Sequence, residues 1–475
     1  MNGRPVSHAA VLAVLLGLAG LAPAAAQHEH HAMPVPATPA PPPAAEPGMA
    51  GPALTPGAPA DPDVPVYSLD DLERRAMEKN PALAAADAAI RAAEGRRLQG
   101  GLLPNPVIGV EAEEIPISGD HEDDGKVGVF VSQEIPLGGK LRRNREVLAR
   151  EVDQARIRAE AQRNRLLAQV RGLFYRTLAA QHRVEVRERL AGVTREAVEI
   201  TKQLYNVGAA DTADQLAVEN EASLEETALA AARIDLDSLW AALRSAVGDP
   251  ELQPGRIGGS LEEGLPELDR EEQRRQWLSQ SPALREAEAE VARAEAALAR
   301  AKGARAPDLE FEGGVLDRRG DERPGGPDLG REGFAQLGFR VPLFNRNQGG
   351  IAAAEADLAR ARLSAERVRL GLESGFAGAF SRYRQAAEQS RTYREAVLPR
   401  ARTAYQQYLE HYRQMTAAYP QVLISQRTLF QAEESYLRSL ERAWEAVIGI
   451  QSLLPPGGEM EETQTTDLSG LEGGH

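Results

Sequence analysis

The sequence predicts a mixed, mainly α-helical fold in which one structural unit is used twice. NPAL at residues 80–83 returns as SPAL at 281–284, and IPL at 135–137 returns as VPL at 341–343. Around each pair of landmarks runs the same succession: a helical stretch, two alternating segments and a long helical stretch. Duplicated sequences usually form quasi-symmetric halves that pack on each other or on further subunits. We therefore expect an internally duplicated protomer.

Composition excludes several classes of protein. The chain has 475 residues, no cysteine and a formal net charge of −15. Without cysteine there can be neither a disulfide framework nor a thiolate-ligated metal site. The acidic balance argues against a nucleic-acid partner. No phosphate-binding glycine loop and no zinc-protease spacing occurs, so the sequence predicts no enzyme activity and no cofactor.

Residues 1–26 have the features of a secretory signal peptide. Arg4 supplies the short basic region, 9–21 is apolar, and 24–26 are three alanines suited to cleavage. The rest of the chain has no continuous apolar run of about eighteen residues, so we expect no membrane-spanning helix. An exported protein can still cross a membrane as a β-barrel, whose strands give a weaker sequence signal.

A proline- and alanine-rich segment, 27–66, follows the signal, and its composition favours extended, flexible chain. His28, His30, His31 and Met33 lie at its start. Imidazole and thioether groups suit copper or a similar ion, which makes this run a candidate metal site. The alternative is a solvated polar tail without fixed geometry.

The two repeats are expected at 67–255 and 266–454, with a flexible tail over 455–475. The first repeat is predicted to hold a β-hairpin at about 107–135, a long helix at 137–207 and a return helix at 212–247. The second is predicted to hold a β-hairpin at about 308–341, a long helix at 348–415 and a return helix at 421–453. Apolar residues in the long helices recur at steps of three and four, the pattern of a coiled coil.

Each alternating segment has one apolar and one charged face, which is typical of a β-strand. Glu111 and Glu113 mark the charged face of the first hairpin, and Glu310 and Glu312 that of the second. Four strands cannot close a barrel, and an open sheet in lipid leaves unpaired edges. Three copies would supply twelve strands, an even number typical of outer-membrane barrels, with the glutamates facing the pore. An ordinary soluble antiparallel sheet is the alternative.

Four motifs in this arrangement resemble those of a known family. They are NPAL at 80–83, QEIPLGGK at 133–140, FRVPLF at 339–344 and QRTL at 426–429. The chain resembles the TolC-like outer-membrane efflux proteins, and among them the heavy-metal branch that serves cobalt–zinc–cadmium or copper export. This resemblance covers about residues 66–454.

The resemblance implies a homotrimer in the outer membrane of a Gram-negative-type cell. A twelve-stranded β-barrel in outer-membrane lipid would continue into a long α-helical barrel across the periplasm. The channel would be a passive conduit in a tripartite system. Its partners would be a periplasmic adaptor (membrane fusion) protein and an inner-membrane transporter of the RND type.

The family pattern also assigns positions in this chain. Pro136 and Pro342 match the places where strand becomes helix, and proline suits them because it cannot donate to a ladder. Tyr205 and Gly208 match one periplasmic helix tip, and Tyr412 matches the other. The second tip departs from the family because Met415 replaces a common glycine and Gln421 a common acidic residue.

Asp211 and Asp214 follow the first tip at the beginning of the return helix. Carboxylates at that position cap a helix and suit its dipole. The functional alternative is an acidic ring, one residue repeated three times, that binds cations and keeps the resting channel narrow.

Two other functions fit the same sequence. A channel of this fold could export drugs or a secreted polypeptide instead of metal ions. A soluble periplasmic adaptor or scaffold is the second alternative. An adaptor would show one helical hairpin, whereas this chain has two matching halves with strand pairs.

Overall fold

A computed structural model describes residues 64–113, 125–208, 210–319, 330–414, 416 and 419–453. The signal peptide, the tail and nearly all of the segment 27–66 lie outside these residues, as do His28, His30, His31 and Met33. Within the described ranges, no helix is both long and apolar enough to cross a membrane.

The chain is mainly helical and its two halves repeat the same order of elements, which confirms the predicted fold class. The first half contains β1 Val66–Tyr67, α1 Leu69–Lys79, α2 Pro81–Gln99, β2 Val107–Glu113, β3 Gly125–Pro136, α3 Lys140–Asn206 and α4 Thr212–Val247. The second half contains β4 Arg256–Ile257, α5 Arg270–Gln280, α6 Pro282–Gly303, β5 Asp308–Arg319, β6 Arg331–Arg340, α7 Gln348–Thr392, a π-helical turn Tyr393–Val397, α8 Leu398–Arg413 and α9 Tyr419–Gln451.

Local sequence signals set the first helix starts. The Ser68 hydroxyl accepts a hydrogen bond from the Asp71 backbone N–H at 3.2 Å, so it caps α1. The Asn80 side chain caps α2 by accepting from Ala82 at 2.9 Å, and Pro81 occupies the first helical turn. The NPAL landmark is therefore a helix start.

The long helix of the second half is not the uniform helix that the sequence predicts over 348–415. α7 ends at Thr392, the π-helical turn Tyr393–Val397 follows, and α8 begins just before Pro399. Proline has no N–H to donate to the carbonyl four residues earlier, and its ring crowds that turn. The π-helical turn widens the helix there. α3 contains no proline and runs unbroken from Lys140 to Asn206.

Five helices pack against α3: α1, α2, α4, α6 and α9. Glu94 of α2 pairs with Arg156 near its beginning at 2.9 Å, and Glu225 of α4 pairs with Arg187 further along at 2.9 Å. The two shorter helices α2 and α4 thus follow each other along α3. α6 and α9 contact α3 in the same succession in the second half.

The connection between the repeats is folded rather than a spacer. Leu252, Ile257 and Leu261 are buried in the main core with residues of α1, α3, α4 and α9. The Trp444 indole N–H donates to the Leu261 carbonyl at 2.9 Å. β4 in this connection forms a parallel pair with β1, which the sequence analysis did not predict. Because Val66 lies in β1, folded chain begins inside the segment predicted to be flexible.

Asp249 joins the start of the first repeat to its end. Its buried carboxylate lies 2.7 Å from the Lys79 ammonium and 3.5 Å from the Arg75 guanidinium. The hydrogen bond from Lys79 holds the pKa of Asp249 below the usual value for an aspartate. A lowered folded-state pKa stabilises the fold above the unfolded-state value, and this contribution is lost as the pH falls through the folded-state pKa.

We expect Asp249→Asn to lower the melting temperature at pH 7, because two cations lose their only charged acceptor among the described residues. The difference in melting temperature from the parent protein should shrink as the pH falls below about 4, because the unfolded carboxylate protonates there first and the folded one at still lower pH. Thermal melts followed by circular dichroism at pH 7 and pH 3 measure both effects. A difference that stays constant with pH would contradict the ionic explanation.

Candidate functional site

The four long strands form a single antiparallel sheet in the order β2-β3-β5-β6. β3 of the first repeat pairs directly with β5 of the second, so the sheet joins the two halves. The register sets Val110 opposite Val129, and Val129 opposite Val315. Because side chains alternate along a strand, this register assigns every residue to one of two faces.

One face of the sheet is apolar and exposed. Val110 is 74% exposed, Val129 58% and Leu337 60%. The other large apolar side chains exposed on this face are Ile108, Val127, Val131, Phe311, Val315 and Phe339. A contiguous exposed apolar surface of this kind marks a site of interaction with lipid or with another protein.

The opposite face carries all four predicted glutamates. The ladder pairs Glu111 with Gly128, and Glu312 with both Ser132 and Gln336. Glu310 forms an ion pair with Arg340, so its charge is locally balanced.

Sequence reasoning did not identify several other residues on this face. Lys126 and Glu332 form an ion pair at 3.3 Å across the sheet. Phe130 packs over Gly109, and Phe334 over Gly314, where a Cβ atom would meet the ring. The face is therefore charged but not uniformly acidic. These groups come together only through the register between strands, which cannot be read from the sequence.

At the first strand–helix junction, Pro136 ends β3, and Gly138 and Gly139 adopt φ of 67° and 72° before α3 begins. These left-handed values favour glycine. Asp308, at the beginning of β5, accepts from the Leu137 N–H at 3.2 Å and contacts the Lys140 ammonium at 2.6 Å. The second repeat thus anchors the junction of the first.

The second junction is built differently. Pro342 follows β6, and α7 begins only at Gln348. Asn347 has φ of 57° before the helix, and its side-chain amide donates to the Ala301 carbonyl at 3.0 Å.

The first helical tip ends in a tight turn. Tyr205 is exposed, and Gly208 has φ of 76° immediately after α3. Asp211 accepts a hydrogen bond from the Asp214 N–H at 2.8 Å, and Asp214 accepts from the Asp211 N–H at 3.2 Å. This reciprocal pair is a capping box at the start of α4. At the second tip, Tyr412 lies in the last turn of α8.

No described part of the chain contains three or more His, Asp or Glu side chains arranged to hold a metal ion. A cavity of about 350 Å³ lies among α3, α4 and α9, and ion pairs line its wall. Arg187 of α3 bridges Glu225 of α4 and Glu434 of α9 at 2.9 and 2.8 Å. Arg427 of α9 pairs with Glu221 of α4. Sequence reasoning missed these links because each joins distant segments.

Comparison with known proteins connects this arrangement to a family. The model of the outer membrane efflux protein family matches residues 72–249 and 274–454, which are the two repeats. The cobalt-zinc-cadmium resistance protein CzcC of Cupriavidus metallidurans is 27% identical over 78% of this chain and 86% of its own length. The nickel-cobalt-cadmium resistance protein NccC of Alcaligenes xylosoxydans xylosoxydans is 26% identical over 65% of this chain and 68% of its own.

The solved structures agree on the fold. CusC, whose structure is described in terms of transmembrane channel formation, superposes with a TM-score of 0.69 at 16% identity. The alignment covers 81% of this chain and 91% of CusC. Because the family model covers both repeats and most of the chain, this chain belongs to the outer membrane efflux protein family.

Proposed function

We propose that the chain is the outer-membrane channel of a tripartite system that exports heavy-metal cations. The observation that carries this proposal is the sheet with an exposed apolar face and a charged opposite face. In a closed barrel, the apolar face meets lipid and the charged face lines water. The names of the two relatives, which concern resistance to cobalt, cadmium, zinc or nickel, support a metal cargo.

A homotrimer is the assembly that fits the sheet. Among the described strands, β2 and β6 each have one neighbour and are therefore edges. Pairing the β6 edge of one copy with the β2 edge of the next closes twelve strands without leaving an unpaired edge in lipid. Two helices, α4 and α7, expose apolar side chains that neighbouring copies can cover: Leu216, Leu224, Ile234, Leu363 and Leu370.

The chain acts in this proposal as a passive conduit. A signal peptide directs it out of the cytoplasm, and the helices extend from the outer membrane into the periplasm. The helical tips contact a periplasmic adaptor, which connects the channel to an inner-membrane transporter of the RND type. That transporter supplies the energy, so the channel needs no cofactor of its own.

The decisive test of cargo is an export assay in a strain that lacks this protein. We expect the deletion to increase sensitivity to Cu, Zn, Co or Cd, with intracellular metal measured by mass spectrometry. Re-expression of the full chain should restore tolerance. Drug tolerance is measured in parallel. If the deletion lowers drug tolerance and leaves metal tolerance unchanged, the cargo is a drug and not a metal ion.

The Glu111→Gln, Glu310→Gln double variant tests the channel wall. Three copies would remove six carboxylates from the charged face, so we expect the preference for cations over anions to fall. Reversal potentials in planar bilayers under a KCl gradient measure this. An unchanged reversal potential would mean that these glutamates do not select cations and only keep a wide pore filled with water.

Asp211→Asn and Asp214→Asn test the proposal of an acidic ring at the periplasmic mouth. Asparagine is as good an N-cap as aspartate, so the Asp211 variant should keep its stability while losing charge. The ring proposal predicts that one of the two variants weakens the block of conductance by divalent cations. If divalent cations block the conductance of both variants as strongly as that of the parent protein, these carboxylates serve as helix caps only.

A further inference from the structure

A groove of about 340 Å³ lies between α7 and α9 in the second repeat, with Trp277 of α5 forming part of its wall. Small residues make the space, since Ala379 and Ala386 of α7 face Ala446 and Gly449 of α9 across it. It is separate from the sheet, from the helical tips and from the cavity among α3, α4 and α9.

Trp277 is fully buried, yet its indole N–H has no acceptor among the described residues. Tryptophan N–H groups in protein cores usually find a partner, as Trp444 does with the Leu261 carbonyl. The indole nitrogen can only donate. Trp277 therefore lines the groove and has a buried N–H for which the described chain supplies no acceptor.

The rim of the groove adds cationic donors. Arg382 of α7 and Arg442 of α9 line it, and neither forms an ion pair with any carboxylate that the structure describes. Gln385 and Gln389 contribute amide groups to the same rim. The one carboxylate in the lining, Glu445, lies 3.9 Å from Arg176 of α3.

The groove and the connection between the repeats lie on different sides of α9. Arg442 and Trp444 are two residues apart on α9, which separates their side chains by about 200° around the helix. Because Trp444 bonds the connection between the repeats, Arg442 and the groove lie on the other side of α9. The connection therefore does not cover the rim.

We propose that this groove is a binding site for a small oxyanion, of the phosphate or carboxylate class. Arg382 and Arg442 would hold its oxygens, because guanidinium groups match the geometry of such anions. Trp277 would donate to one of these oxygens once the groove wall opens around its buried N–H. The proposed metal cargo is cationic, so this site takes a different class of ligand from the conduit.

The test uses the full chain in detergent, labelled with 5-fluorotryptophan and observed by fluorine NMR. The protein has three tryptophans, and Trp277→Phe identifies the signal of Trp277. Inorganic phosphate is titrated at constant ionic strength against sodium chloride. We expect the Trp277 signal to shift and saturate with phosphate, while the Trp240 and Trp444 signals stay in place.

Substitution separates binding from a general salt effect. Arg382→Gln with Arg442→Gln should weaken the phosphate response at least tenfold. Arg384→Gln, an exposed arginine on the same helix outside the groove, should leave it unchanged. The proposal is overturned if Trp277 does not respond, if chloride produces the same shift, or if the double variant responds like the parent. A neighbouring copy that fills the groove in the trimer would give the first of these results.

Discussion

Replacing Val129 by arginine should prevent assembly of the channel in the outer membrane. Val129 lies in the middle of β3, on the apolar face, between Val110 and Val315. Arginine facing lipid near the midplane costs about 2–4 kcal/mol in outer-membrane barrels. A trimer would incur this cost three times, which is comparable with the whole stability of many domains. We expect little trimer in outer-membrane fractions and metal tolerance close to that of the deletion strain.

Ser132→Arg is the matched control, because Ser132 lies on the same strand but on the charged face, opposite Glu312. An arginine there would face water and a carboxylate, so assembly and metal tolerance should survive. Both variants are compared by native gel electrophoresis of membrane fractions. If Val129→Arg assembles as well as Ser132→Arg, the apolar face does not contact lipid.

The sequence predicted those features that depend on neighbouring residues. Alternation at Glu111 and Glu310 indicated the hairpins, because side-chain direction along a strand has a period of two. The helix caps at Ser68 and Asn80 are equally local, because capping is decided within one turn. The π-helical turn before Pro399 also has a local signal, since proline inside a helical pattern perturbs the preceding turn.

Features that depend on the register between distant segments were not predictable. The pair of β1 with β4 joins strands of two residues each, which are too short for a periodic signal. Asp308 stabilises the junction at Pro136 only because β3 pairs with β5. The unpaired donors around Trp277 likewise follow from how α5, α7 and α9 pack. A single sequence gives residue types, but these sites require knowledge of which helices are neighbours.

The ion pairs around Arg187 lead to the second large expected effect. Arg187 of α3 is mostly buried, and it is the cation between Glu225 of α4 and Glu434 of α9. Arg427 pairs with Glu221 on the same side of the cavity. Arg187→Gln with Arg427→Gln removes two of the three arginines that line the cavity and leaves Glu221 and Glu225 without these partners, while Glu434 keeps its ion pair with Arg438. Hydrogen bonds to charged groups contribute about 1.5–3 kcal/mol each, and the mostly buried Arg187 makes two of them, so α9 should be held less tightly against α3 and α4. The exposed Arg427 contributes less, because solvent screens its charge.

We expect this double variant to have a lower melting temperature and a several-fold higher resting conductance in planar bilayers. Arg233→Gln is the control, because the Arg233–Glu188 pair is about half exposed on both sides. Exposed pairs contribute about 0.2–1 kcal/mol, so that variant should behave like the parent.

Neutralising Glu225 and Glu434 distinguishes charge repulsion from lost packing of the arginine side chains. Adding Glu225→Gln and Glu434→Gln to the double variant removes two carboxylates that are mostly buried in the cavity wall. If repulsion loosens α9, this addition should restore most of the melting temperature and reduce the resting conductance. If the quadruple variant is no more stable than the double variant, the arginine side chains act through packing alone. The ion pairs would then not control how closely α9 lies against α3 and α4.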